Sequence, residues 1–567
     1  MNIRLPIIIA FLFLSQGLQG SDHLMIWVNF TDKAESPYSI SRPHEFLSER
    51  ALERRLKQSI PLDEYDLPVS PFYLQTLSDH TSIEVFYSSR WLNGALLRIQ
   101  DETILDILHQ YPFILNFENV KPAPEEETEE KLEETGGPQE LIMNNHYQSD
   151  FFEFVQNSLF VSNQTYPEYG TAFNQLNLVN GQELHKRGYW GHGKVIALLD
   201  AGYTGVDTLA AFNYLWNQNR ILGYRDFVNP GGNVFSSHPH GTLVLSVMGG
   251  YLPNQFAGAA LGASYWLLRT EDADTEFRIE EYNWLAGAEF ADSIGADIIN
   301  SSLGYTTFDN PLQDYTYADL DGETTIVARA ANKAFSRGIL VVNSAGNYGN
   351  RDWGYIGSPA DAFGALSVGG TDNQGVRVNF SSFGPSYDGR IKPDIMAQAR
   401  AVSVANLLGT TGNANGTSFS APLIAAMSAC LWQKFPDVSN QQLRQAIIQS
   451  SDRFLNPDTL YGFGIPDFGL AVEILKGPEV DPRMITLLNN PLMYNSALRI
   501  YADHSELINI DFINSSGHIM WTQQNIEIFP GYNEVRPFGD IESLASGIYI
   551  IRVRFNDRAE HVKAIKL

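Results

Sequence analysis

Val195-Ile196-Ala197-Leu198-Leu199-Asp200-Ala201-Gly202 is the stretch that decides the fold. Five apolar residues in a row, too few for a helix, are what a strand buried on both faces requires, and such strands belong to parallel sheets covered by helices. Asp200 comes directly after the run. It is predicted at the carboxyl end of a central strand, where open α/β sheets gather their ligands. Taken alone, an Asp before Ala-Gly reads equally as a turn cap.

Around this strand the same pattern repeats from 169 to 477. Ala296 to Asn300 and Ile339 to Asn343 read as further buried strands, and Ala330 to Arg337 and Gln441 to Ile448 as helices. The alternation predicts an α/β domain with a doubly wound, mostly parallel sheet. Two more stretches carry chemistry. In His238-Pro239-His240-Gly241-Thr242, His240 stands at a helix start or tight turn among small neighbours, with His238 as a local rival. In Gly416-Thr417-Ser418-Phe419-Ser420-Ala421-Pro422, Ser418 precedes an apolar helix that runs to Trp432 and carries Pro422 in its first turn. A serine hydroxyl needs a histidine to accept its proton and a carboxylate to hold that histidine's tautomer. A serine at a helix N-terminus also stands beside free backbone N–H groups that can hold an oxyanion. Asn347, in Asn343-Ser344-Ala345-Gly346-Asn347, can donate a second hydrogen bond from its side-chain amide.

The chain order Asp200, His240, Ser418, with Asp-Ala-Gly, His-Gly-Thr, Ser302-Leu303-Gly304, Ala345-Gly346-Asn347 and Gly-Thr-Ser-Phe-Ser-Ala-Pro, resembles the subtilisin-like (subtilase) serine proteases. The resemblance implies a peptide-bond hydrolase with a catalytic Asp-His-Ser triad and Asn347 at the oxyanion. It further implies that Ser302, Leu303 and Gly304 form an edge strand pairing with the substrate backbone, with Ser344, Ala345 and Gly346 also on the substrate side. Two positions depart from the family: Ala201 stands where Ser or Thr is usual, and Phe419 where Met is more common. Calcium is common in the family, but the sequence maps no ligand set for it, and the chemistry itself requires no cofactor or metal. A catalytically silent peptide-binding or adhesive surface protein on the same fold is the alternative. An esterase or lipase would predict a Gly-x-Ser-x-Gly elbow, and Ser418 does not sit in one.

The 567 residues are long enough for several domains. Sixty-five acidic against 38 basic residues give a net charge of -27, which argues against nucleic acid as a partner. Residues 1–20 read as a signal peptide: Arg4, then an apolar run from Leu5 to Leu14 broken only by Pro6, then Gly17 to Gly20, which ends with a small residue. Cys430 is the only cysteine, so no internal disulfide exists, and its apolar surroundings predict a buried side chain.

Residues 21–122 are predicted as a small α+β domain. Strands at Leu24 to Phe30, Ile83 to Tyr87, Leu92 to Ile99 and Phe113 to Phe117, with helices at Glu45 to Gln58 and Glu102 to Gln110, give the ferredoxin-like order βαββαβ. This part resembles, more weakly, the subtilisin propeptide, which implies an intramolecular inhibitor and folding chaperone. Residues 123–168 follow as an acidic linker, with seven glutamates between Glu125 and Glu134. From 478 to 567, short alternating runs (Leu498 to Tyr501, Leu507 to Ile513, Ile526 to Phe529, Gly547 to Phe555) separated by Ser516-Gly517, Pro530-Gly531 and Ser546-Gly547 predict a β-sandwich. Its end, Leu544-Ala545-Ser546-Gly547-Ile548-Tyr549 through Val562 to Leu567, is similar to the C-terminal sorting domains of the type IX secretion system in Bacteroidota. That implies export through the periplasm to the cell surface or medium, with the secretion machinery as a partner.

Overall fold

The computed structural model describes residues 23–100, 102–122, 169–476 and most of 485–566. The expected signal peptide and acidic linker lie outside the described residues. The chain divides into two compact units, Met1–Leu475 and Lys476–Leu567.

In the first unit, seven parallel strands form the central sheet: β5 (Val195–Asp200), β6 (Ile221–Asp226), β7 (Ser264–Arg269), β8 (Ile298–Ser301), β9 (Leu340–Ser344), β10 (Ala365–Thr371) and β11 (Ile395–Gln398), in the order β11-β10-β9-β8-β5-β7-β6. All six residues of β5 are buried, because alternate side chains feed two cores. Ile196 and Leu198 face one core; Val195, Ala197 and Leu199 face the other. The first core lies under α4 (His240–Gly249), α7 (Thr417–Lys434) and α8 (Asn440–Gln449). The second lies under α5 (Ile279–Ile294) and α6 (Ile326–Ser336). The chain leaves β5 toward β6 and β7 on one side and later adds β8 on the other, so Asp200 ends the strand at the sheet's switch point.

The N-terminal part of this unit is a four-stranded antiparallel sheet of β1 (Leu24–Phe30), β2 (Ile83–Ser89), β3 (Gly94–Ile99) and β4 (Ile114–Lys121), in the order β2-β3-β1-β4. That is the ferredoxin-like strand order. The first crossover departs from expectation, for it holds two helices, α1 (Glu49–Lys57) and α2 (Pro71–Ser78). Tyr73 and Leu77 of α2, with Ile104 and Leu108 of α3 (Thr103–Leu108), cover the face of the sheet that carries Leu24, Ile26, Val28 and Phe30. The other face, with Met25, Trp27, Leu96 and Val120, joins the second core of the large domain. Trp27 stacks on Tyr282 of α5 at 4.2 Å between ring centroids.

Helix α1 serves that seam instead of its own sheet. Asp292, near the end of α5 and fully buried, is bound by Arg54, by Arg55 at 2.7 Å and by Arg90 at 2.6 Å. Burial favours the neutral acid, but the three guanidinium groups outweigh it and hold the carboxyl below its ordinary range. One turn earlier, Glu289 accepts the Arg90 and Trp91 backbone N–H groups at 3.0 and 3.1 Å and the Ser89 hydroxyl.

The second unit is all β among its described residues. Strands β12 (Ile485–Leu488), β13 (Ala497–Ala502) and β16 (Gly531–Val535) form one antiparallel sheet. Strands β14 (Glu506–Asn514), β15 (Ile519–Ile528), β17 (Gly547–Arg554) and β18 (Ala559–Lys566) form another, and both feed one core around Leu498, Ile510, Phe512 and Ile551. Gly531, expected in a turn, begins β16.

Candidate active site

Asp200, His240 and Ser418 come from three elements whose ends meet above the sheet. Asp200 ends β5, His240 opens α4, and Ser418 is the second residue of α7. Gly241 allows the approach, since a Cβ there would stand 2.4 Å from the Gly202 carbonyl and 3.0 Å from the Asp200 Cβ. His240 Nδ1 lies 2.8 Å from Asp200 Oδ1, which also accepts the Ala201 N–H at 2.8 Å. Asp200 is buried, while the His240 side chain keeps 26% of its surface open to solvent. Burial alone would lower the pKa of His240; the charge and hydrogen bond of Asp200 together raise it above the ordinary value, and Glu271 adds to the rise. His238, the rival, accepts the His240 N–H at 3.3 Å, and its pKa is lowered by burial and by the neighbouring His240. Asp200 therefore orients His240 and not His238.

With Nδ1 occupied by Asp200, Nε2 is the nitrogen left to work. The His240 ring lies 5.9 Å from that of Phe419, the residue after Ser418, which sets imidazole and serine in one cleft. The Ser418 hydroxyl donates a long hydrogen bond, 3.4 Å, to the Ser302 carbonyl. No hydrogen bond joins it to His240 in this state, and catalytic hydrogen bonds are often long without substrate and tighten only when it is bound.

The oxyanion side is assembled through Thr417. Asn347 Oδ1 accepts the Thr417 N–H at 2.9 Å and its hydroxyl at 3.0 Å, while Thr417 Oγ1 accepts the Gly346 N–H at 3.2 Å. With Oδ1 occupied, the amide presents Nδ2 outward. Gly416 precedes the helix with φ 137°, a conformation glycine tolerates, and a Cβ there would lie 3.5 Å from Asn347 Nδ2. The Ser418 N–H, in the first turn of α7, has no protein acceptor among the described residues. Asn347 and Gly416 also border a cavity of about 460 Å³ that includes Arg351, Phe380, Arg400 and Asn415.

Pro422 stands in the second turn of α7, not the first as expected. It has no N–H to bond the Ser418 carbonyl, and the Ser302 hydroxyl takes that place at 2.9 Å. The stretch Ser302-Leu303-Gly304 follows β8 beyond the end of its ladder and belongs to no strand. The Leu303 and Gly304 carbonyls are held by Asn343 Nδ2 at 3.1 Å and the Tyr348 hydroxyl at 3.2 Å. Their N–H groups have no acceptor among the described residues. Ser344 and Ala345 are buried, and the backbones of Ala345 and Gly346 are occupied internally: Ala345 N–H on Val368 at 2.9 Å, and Gly346 C=O on the Ser382 N–H at 3.0 Å.

Residues 191–464 match the subtilase family. Subtilisin BL of Lederbergia lenta is 30% identical over 292 residues, covering 51% of this chain and 94% of that protein. The chain belongs to the subtilase family. Residues 25–134 match the peptidase S8 propeptide domain of Bacteroidota, so this subtilase carries its own propeptide domain. The thermostable alkaline protease of Halalkalibacterium halodurans is 29% identical over 304 residues, 53% of this chain and 73% of that protein. Among solved structures, MycP1 from the ESX-1 type VII secretion system aligns with a TM-score of 0.43 at 22% identity, covering 56% of this chain and 90% of that one. The family match and the subtilisin relatives establish the expected serine protease, and the seven-stranded sheet is the expected mostly parallel one.

Three features had no place in the sequence reading: Thr417 as organiser of the Asn347 amide, Asp292 as the anchor of the propeptide seam, and the arginines that border the Asn347 cavity. Thr417 lies inside a quoted motif, so its hydroxyl was the available signal. Arg54 and Arg55 look in sequence like the solvated face of a charged helix.

Proposed function

We propose that this subtilase is an exported endopeptidase that works through an acyl-enzyme. The Ser418 proton passes to His240 Nε2 as Oγ attacks the substrate carbonyl carbon. The resulting oxyanion is held by Asn347 Nδ2 and the Ser418 N–H. Collapse breaks the C–N bond, with His240 returning the proton to the departing amine. Water then repeats the sequence on the ester and frees Ser418. Asp200 keeps His240 in the working tautomer and stabilises its imidazolium. The substrate backbone pairs with the free N–H groups of Leu303 and Gly304, adding a strand as in β-augmentation. The observation that carries this reading is the 2.8 Å Asp200–His240 pair at the switch point, beside a serine that heads α7.

A fluorophosphonate probe should label the processed protein and fail on Ser418→Ala, and the wild type should cleave a denatured protein but no simple lipid ester. Absence of labelling would favour the silent peptide-binding alternative. The propeptide acts as chaperone and inhibitor until it is removed. The C-terminal unit directs export across the outer membrane, so a chain ending at 477 should accumulate in the periplasm while the full chain leaves it.

A further inference from the structure

The cavity beside Asn347 is lined by hydrogen-bond donors. Its 460 Å³ are bordered by Asn347, Asn379, Asn415, Arg351 and Arg400, and no carboxylate lines it, although the chain as a whole carries a net charge of -27. Neither guanidinium forms an ion pair with a described residue. Arg400 Nη2 donates to Asn379 Oδ1 at 3.2 Å, which leaves most of its fork unspent.

The three amides are turned the same way. Asn347 Oδ1 accepts the Thr417 N–H and hydroxyl, Asn415 Oδ1 accepts the Ala401 N–H at 2.8 Å, and Asn379 Oδ1 accepts Arg400. Each oxygen is committed, so each amide offers its Nδ2 as a donor. Arg400 is also fixed in place: its N–H binds the Thr371 carbonyl at 3.1 Å, its own carbonyl accepts Gln398 Nε2 at 3.1 Å, and its guanidinium lies 5.9 Å from the Phe380 ring centroid.

A wall that only donates and carries two positive charges suits a carboxylate, whose two oxygens a guanidinium can hold through parallel bonds. Its place selects the source of that carboxylate. Asn347 belongs both to the cavity and to the oxyanion side, and a peptide with its scissile carbonyl on Asn347 Nδ2 advances about 3.3 to 3.6 Å per residue. A substrate side chain therefore reaches the cavity within the next few residues.

We propose that Arg351 and Arg400 make this subtilase selective for an acidic side chain, Asp or Glu, at one position close to the scissile bond. This rests on the peptidase reading and adds a substrate class to it. The arginines set specificity by touching the substrate's side chain and none of the reacting atoms.

The test gives the processed protein pairs of peptides that differ only by Asp against Asn, or Glu against Gln, at each position within four residues of the cleaved bond. Their C-termini are amidated, so that only side-chain carboxylates are read. At one position the acid should be preferred by about fivefold or more in kcat/KM, near the top of the range for exposed pairs, and added salt should shrink the preference. Arg400→Glu should invert the ratio, and the Arg351→Gln, Arg400→Gln double variant should bring it close to one. The acid-to-amide ratio is a readout that a general loss of activity or stability does not move. If the protein cleaves no peptide, the peptidase reading fails by itself, and the same ratio is then measured in binding of the same peptides by fluorescence anisotropy. Equal treatment of acid and amide at every position, or a preference that the double variant retains, would show that the two arginines are solvated charges only and that the proposal is wrong.

Discussion

At Asp292 one carboxylate faces three guanidinium groups, whereas at Asp200 one carboxylate faces a single imidazole and keeps its second oxygen, buried, without a partner. Both are almost fully buried in the same unit. In the propeptide seam the Asp292 and Glu289 carboxylates are filled: Glu289 takes two backbone N–H groups and a hydroxyl, and Arg55 also forms an ion pair with Asp66 at 2.9 Å, while the Nε donors of Arg55 and Arg90 are buried without an acceptor. In the cleft, groups are held in place but left underused, namely the Ser418 hydroxyl on a 3.4 Å bond, its free N–H, and Asn347 Nδ2. A satisfied network is rigid and specific; a site that must bind a developing charge needs donors oriented and unspent. The seam holds an ordered contact, and the cleft waits for a substrate.

The sharpest way to break this contrast is at the nucleophile. Ser418→Ala should lower kcat by about 10⁶-fold, the scale that loss of the nucleophile has in a subtilisin. Thermal stability should hardly change, because the lost bond is long. A residual rate within tenfold of wild type would remove Ser418 from the mechanism.

Asp200→Asn comes next, with an expected loss near 10⁴-fold in kcat, the scale known for the equivalent change in another serine protease. Its pH profile is the discriminating readout. His240 must be neutral to act as base, and Asp200 raises its pKa against the pull of burial, so the acid limb of kcat/KM should lie above 6.5. Without the carboxylate, burial prevails and the limb should move below that value. The sign for stability is opposite. A raised histidine pKa stabilises the fold below pH 6.5 and loses that contribution as pH rises through the folded value, the window in which activity appears. An unmoved acid limb in Asp200→Asn would contradict the assignment.

At the seam, Asp292→Ala leaves three buried guanidinium groups without their carboxylate. Breaking a buried pair costs about 3 to 5 kcal/mol, so the affinity of residues 23–122 for the processed enzyme should fall by about 10² to 4 × 10³-fold. Inhibition of peptide cleavage by the added propeptide measures this. The kcat of the processed enzyme should stay within about twofold, because Asp292 and the triad have no common contact. A matching loss in kcat would show that seam and cleft are one network.

These two regions were unequally legible in the sequence. The cleft could be read because its parts sit in short motifs: an apolar run ending in Asp200, a histidine before Gly241, a glycine before Ser418. Each combination encodes local backbone geometry. The seam is built from contacts between residues about 200 to 240 apart, such as Arg55 with Asp292 and Ser89 with Glu289. Nothing local distinguishes a buried arginine from a solvated one, so α1 read as the crossover helix of its own sheet when α2 fills that place. The arginine-lined cavity escaped for the same reason: Arg351 and Arg400 stand in separate loops, with no motif to join them.

Asn347 gives the smallest and most selective test. Its Oδ1 is structural, capping the first N–H of α7 and accepting the Thr417 hydroxyl, while its Nδ2 is the group left for chemistry. Asn347→Asp retains the acceptor and removes the donor. The variant should therefore keep its Tm and lose about 10² to 10³-fold in kcat with little change in KM, a range known from the corresponding change in a subtilisin. Asn347→Ala should show the same kinetic loss and, in addition, a lower Tm from the missing cap, by about 1 kcal/mol. If the aspartate variant instead kept its rate and lost stability, the underused amide would belong with the structural groups, and the contrast between cleft and seam would fail at its most testable point.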